Sequence, residues 1–201
     1  MVKITSGDFT LVFNPISSKS KLKPQRFGSD LALISRRLPE FNGVSEVTRK
    51  DKTPFVIDGP GEYEVMSTFV KGTQTSSDYG EKPGLNTIYT VKLDDINMVF
   101  LGALSDPKPN MSFIEDMDSV DIVFVPIGGE GVLDYSQGYK LAVSLEPKLI
   151  IPVHYGSLGD KDALKNFVKE SGAKPEASDK FVFKKKDIEG KSAELVLLNI
   201  K

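Results

Sequence analysis

Two stretches decide the fold: DIVFVPIGG at 121–129 and PKLIIPVHYG at 147–156. Their centres, 122–125 and 149–153, are continuous apolar runs. Such runs mark strands buried on both faces rather than strands with one side in water. Between them, 136–145 predicts a helix, which stops before Glu146-Pro147 because the residue ahead of a proline avoids the helical region. A second helix is predicted over 160–171. It has acids in its first turn, Leu164, Phe167 and Val168 on one face, and Gly172 as its stop.

Upstream, strand signals dominate. Residues 2–4 and 9–13 predict a hairpin around Ser6-Gly7-Asp8, and 31–34 and 55–57 are short apolar strands, the latter closed by Gly59-Pro60-Gly61. Residues 63–75 predict one long strand. Residues 86–93 and 96–101 predict a hairpin turned at Asp94-Asp95. A short helix is expected at 112–118, and 181–183 and 195–200 read as closing strands. Many strands followed by strand–helix alternation predict an α/β layered sandwich of two mixed sheets with outer helices.

The composition narrows the chemistry. The chain has 201 residues, which suits a single domain over 1–201 with its own core. Its 26 basic and 28 acidic residues give a net charge of −2, so nothing marks a nucleic-acid or membrane partner. With no cysteine, disulfides, thiolate metal sites and cysteine nucleophiles are excluded. With one histidine, His154, any multi-histidine zinc site is excluded too. No apolar run approaches a membrane span and the amino terminus lacks a signal-peptide pattern, so a cytoplasmic location is expected. The first quarter is locally basic and 94–134 locally acidic. These read as two solvated faces or as a contact between subunits.

Taken in order, GPGEYEV (59–65), GLNTIY (84–89), VPIGG (125–129) and IIPVHYG (150–156) resemble the metallo-β-lactamase fold. The resemblance is closest to the small bacterial branch of ascorbate-phosphate lactonase-like hydrolases, and it covers almost the whole chain. It implies an αββα sandwich and a site for one or two metal ions, usually zinc. The family's first ligand loop, T-H-x-H-x-D-H, matches Ser35-Arg36-Arg37-Leu38-Pro39-Glu40-Phe41. Carried over position by position, the ligand slots hold Arg36, Leu38, Glu40, Phe41, Ser77, Ala103 and His154. Only His154 is kept, and Glu40 is the one conservative change.

Arginine stays cationic and repels a metal, while Leu38, Phe41 and Ala103 offer no lone pair. The expectation is therefore a degenerate site with no metal, no catalytic residue and no cofactor. The chain would persist as a binding or assembly partner, of a second copy or of an active relative. The alternative is a metal-dependent hydrolase of a small ester, lactone or phosphoester, with zinc in a rebuilt site around His154, Asp78 and Glu40. Arg36 and Arg37 read either as a surface pair or as a counter-charge for the vacated site, paired with Asp78, Glu40 or Asp106. Gly128-Gly129 reads as a turn or close approach, and Lys184–Lys186 as a solvated run.

Overall fold

A computed structural model describes residues 1–200. The first sheet holds β1 (Val2–Ser6), β2 (Phe9–Phe13), β3 (Leu31–Leu33) and β4 (Phe55–Ile57) in that spatial order. β1 and β2 form the expected hairpin, with Gly7 at φ +54° in its turn, and β2, β3 and β4 run parallel. The second sheet contains β5 (Gly61–Val65), β6 (Thr68–Ser77), β7 (Gly84–Leu93), β8 (Ile96–Phe100), β9 (Ile122–Pro126) and β10 (Leu149–Val153). These meander antiparallel from β5 to β8 and become parallel from β8 to β10. Both sheets are mixed, as the sequence predicts.

Helix α1 (Tyr135–Ser144) follows β9. Its first turn is fixed by a reciprocal cap, in which Asp134 accepts from the Gln137 amide and the Gln137 side chain accepts from the Asp134 amide. Helix α2 (Ala163–Ser171) follows β10 and ends at Gly172, which takes the left-handed conformation at φ +66°. The chain closes with β11 (Ala177–Ser178), a one-turn helix α3 (Lys185–Ile188), β12 (Glu194–Leu195) and β13 (Leu197–Leu198). β12 extends the large sheet beside β10, and β11 pairs with β13.

Two apolar layers hold the sandwich. Between the sheets, Leu11, Phe13 and Leu33 meet Tyr89, Phe100, Phe124 and Ile151, and Phe13 stacks on Phe100 at 4.4 Å. The Tyr89 hydroxyl crosses this layer toward the carbonyls of Ile34 (2.9 Å) and Ile57 (3.1 Å), so a buried phenol is satisfied by the opposite sheet. On the outer face of the large sheet, Ile88, Val99, Val123 and Ile150 pack under Leu141, Ala142 and Phe167 of the helices. The outer face of the small sheet is covered by Phe27 and a 3-10 turn, Val44–Val47.

Five sequence expectations need correction. Residues 63–75 do not form one strand: the chain reverses at Met66-Ser67, both at positive φ (49° and 62°), which splits the run into β5 and β6. The turn is left-handed like an Asn-Gly turn but lacks its residues, so its signal is missing. Residues 112–118 shrink to a 3-10 turn, Met111–Ile114, capped by the Asn110 side chain. Residues 181–183 are irregular, held by stacking of Phe181 on Phe183 at 5.0 Å. Residues 195–200 are broken between two partners. Nor is 184–186 merely solvated, since Lys185 reaches the fully buried Asp121 at 2.5 Å, beside Lys148 at 2.7 Å.

Candidate functional site

The loops after β3, β6, β8, β9 and β10 converge at one end of the sandwich. Arg36 follows β3 and turns inward, with only 8% of its surface exposed. Its guanidinium donates to three main-chain carbonyls: Ser77 at 3.3 Å, Leu85 at 3.2 Å and Lys82 at 2.9 Å. It thereby ties the two ends and the middle of the β6–β7 loop to the loop after β3. It lies over Gly84, where a methyl group would come within 2.9 Å of Nη1. Burial pushes the guanidinium pKa down, and Asp78 opposes this through space. Among the described residues no carboxylate forms an ion pair with Arg36. The expected pairing with Asp78, Glu40 or Asp106 is thus not made, because the carbonyls reach the guanidinium first. Arg37 turns outward to Asp58 at 2.9 Å, and Asp106 accepts from the amide of Lys108 in its own turn.

Next to Arg36, Phe41, Ala103 and Val132 form a small buried cluster joined by Leu38 and Tyr79. His154 packs on it. Its ring stacks on Phe41 (5.7 Å, 16°) and meets Tyr79 edge-on (4.8 Å, 88°), while Tyr79 also meets Phe41 edge-on at 5.3 Å. Although the residue keeps some exposed surface, its Nε2 is sealed and has no hydrogen-bond partner. Burial, with a smaller push from the amino-terminal ammonium, lowers its pKa to about 4. The backbone of His154 is itself left-handed at φ +54°, an unusual state for a non-glycine residue at a strand end.

Gly128 permits this arrangement, since a methyl group there would lie 2.3 Å from the His154 carbonyl oxygen. Burial also raises the Tyr79 phenol pKa, with Glu40 and Glu130 adding to it. Asn86 supports the loop of Ala103 by accepting its amide at 2.8 Å, while donating to Leu101 and Thr75.

Six of the seven predicted ligand positions therefore meet: Arg36 with Ser77, Leu38 with Phe41 and Ala103, and Phe41 with His154. Glu40 instead accepts from the Ser20 hydroxyl at 3.2 Å. Sequence reasoning missed Tyr79, whose only signal is an aromatic residue between Asp78 and Gly80 in an otherwise polar loop. A zinc site needs three or four nitrogen, sulfur or carboxylate donors at about 2.0–2.3 Å. Here the converging side chains are a cation, three apolar groups, a serine and one sealed imidazole. No three His, Asp or Glu side chains gather as a metal site among the described residues. As arranged, these residues do not fit a zinc centre.

Two mixed sheets face to face, with strand-end loops meeting at one end, define the metallo-β-lactamase class of sandwich. The profile described as the Beta-lactamase superfamily domain matches residues 2–154, and the chain belongs to that family. Among its relatives is a UPF0173 metal-dependent hydrolase of Pyrococcus horikoshii, 29% identical over 58% of this chain and 52% of that protein. The match thus spans about half the length of that relative. A UPF0173 metal-dependent hydrolase of Thermoplasma acidophilum is 24% identical over 73% of each chain. In three dimensions, a crystal structure described as a putative Zn-dependent hydrolase of the metallo-beta-lactamase superfamily, from Thermotoga maritima, aligns with a TM-score of 0.75. It covers 98% of this chain and 92% of that one at 22% identity, a likeness of fold. No helix among the described residues is long and apolar enough to cross a membrane.

Proposed function

We propose that this chain is a binding protein on a metallo-β-lactamase fold, in which a packed cation–aromatic plug takes the place of a hydrolytic metal centre. The carrying observation is the plug itself: Arg36 held by three carbonyls, beside the cluster of Phe41, Tyr79 and Leu38 in which Phe41 and Tyr79 pack on His154. A hydrolase of this class needs an activated water, and metal-bound water is what lowers its pKa toward 7. The Nε2 of His154, buried and without a partner, is closed to such a water.

The second reading is a metal-dependent hydrolase of a small ester, lactone or phosphoester around His154, Asp78 and Glu40. The comparisons weigh toward its hydrolase part, because two relatives are described as metal-dependent hydrolases, with no substrate named. Elemental analysis and zinc calorimetry on the purified chain separate the two. The binding reading expects neither bound transition metal nor saturable zinc uptake at micromolar concentration. A stoichiometric metal whose removal lowers the melting temperature refutes it, since a tight ligand must stabilise the native state.

A further inference from the structure

We propose that the cleft on the β4 side of Arg36 binds a small anion, a carboxylate or a phosphate monoester. The cleft has a volume of about 420 Å³ and is walled by Arg36, Arg37, Asp58, Gln74, Leu85 and Thr87. That volume lies within the range of small-molecule sites.

Three observations converge on an anion. First, Arg36 is a buried cation whose direct partners are carbonyls, with Asp78 acting on it only through space, and a buried charge without a contact ion pair is costly. Second, its Nε–H is buried without an acceptor, so the donor set is incomplete. Third, Arg37 stands on the same wall. Its side chain is 71% exposed, and its one ion pair, with Asp58, leaves donors of the guanidinium fork unused. Two consecutive arginines suit the oxygens of a carboxylate or phosphate. Gln74 supplies neutral polar atoms, and Leu85 and Pro60 an apolar side, so a ligand with a short hydrocarbon portion fits the wall.

The cleft on the opposite side of Arg36 is a poorer anion site. There Glu40 and Glu81 stand beside Lys21 and Lys82, whereas Asp58 on the favoured side is already engaged by Arg37.

This inference rests on the binding reading above, and one sample tests both. In a ¹H–¹⁵N spectrum, the Arg36 side-chain Nε–H signal is assigned by its loss in Arg36→Lys. It is then followed while inorganic phosphate or acetate is added at ionic strength held constant with chloride. The expected result is a saturable shift of that signal, with Arg37→Ala weakening the apparent affinity by roughly 3- to 10-fold. A response to phosphate alone assigns a phosphate monoester, and a response to acetate assigns a carboxylate. An Arg36 signal unmoved by either anion, or an affinity unchanged in Arg37→Ala, overturns the site. Metal analysis of the same preparation keeps the failures apart, because stoichiometric zinc refutes the binding reading whatever the Arg36 signal does.

Discussion

His154 offers the sharpest test of the plug, because it is the single histidine of the chain. In the folded protein its pKa is about 4, against 6.5 ordinarily. The unfolded chain therefore takes up a proton near pH 6.5, while the folded chain resists until near pH 4. The sign follows: this group lowers stability as pH falls from 6.5 to 4, and adds nothing further below that window. With those two values, linkage gives a loss of about 2 kcal/mol between pH 7.5 and pH 5, and about 3 kcal/mol once below pH 4.

The assay is urea unfolding at half-unit steps from pH 7.5 to 4, paired with an NMR titration of the His154 ring. The comparison variant is His154→Asn, since asparagine tolerates the left-handed backbone at φ +54° and does not titrate. The wild type should lose stability across the window and the variant should stay nearly flat there. A ring midpoint at or above 6.5, or parallel profiles for the two proteins, would refute the claim that Phe41 and Tyr79 seal the imidazole.

Two further outcomes concern the frame around the site. Asp121→Asn should cost about 2–4 kcal/mol in denaturant unfolding, because it removes a fully buried charge from Lys148, Lys185 and the Asn97 amide. Burial pushes that carboxyl pKa up, but those donors outweigh it and hold it below the ordinary 3.8, so its contribution persists above that pH and is lost only as the solution becomes more acidic. An unchanged midpoint for the variant at pH 7 counts against the clamp. Gly128→Ala should cost about 3 kcal/mol or more, since its methyl group would press on the His154 carbonyl at 2.3 Å and neither backbone can yield alone. Unaltered melting with an unmoved His154 resonance would mean the loops are looser than drawn.

What the sequence discloses depends on how local the cause is. The runs at 122–125 and 149–153 declare buried strands because burial on both faces leaves no polar position, and both were found in place. The β1–β2 and β7–β8 turns are announced by glycine or aspartate in left-handed conformations. Met66-Ser67 adopts the same conformation without such residues, so the hairpin it makes is silent in the sequence.

At the site, the scarcity of side-chain donors is legible letter by letter, because the side chains of Leu38, Phe41 and Ala103 carry no lone pair wherever they point. The inward turn of Arg36 is not legible. It depends on carbonyls at 77, 82 and 85, brought to one spot by pairing of β6 with β7, and backbone oxygens leave no trace in residue identity. Tyr79 was missed for a related reason: one aromatic in a polar loop becomes part of a lid only when Phe41 and His154 arrive beside it.

The layer between the sheets also bears on how the chain is made. Leu11, Phe13, Leu31 and Leu33 find their cover in Tyr89, Phe100, Phe124 and Ile151, all later in the chain. Emerging from a ribosome at about 5–20 residues per second, the first sheet waits on the order of ten seconds for its opposing wall. During that interval a row of leucines and phenylalanines lies bare. The Tyr89 hydroxyl, bridging to Ile34 and Ile57, cannot fasten the two halves until the seventh strand is out. Nascent chains stalled before residue 89 should therefore be the aggregation-prone species and the natural clients of a holding chaperone.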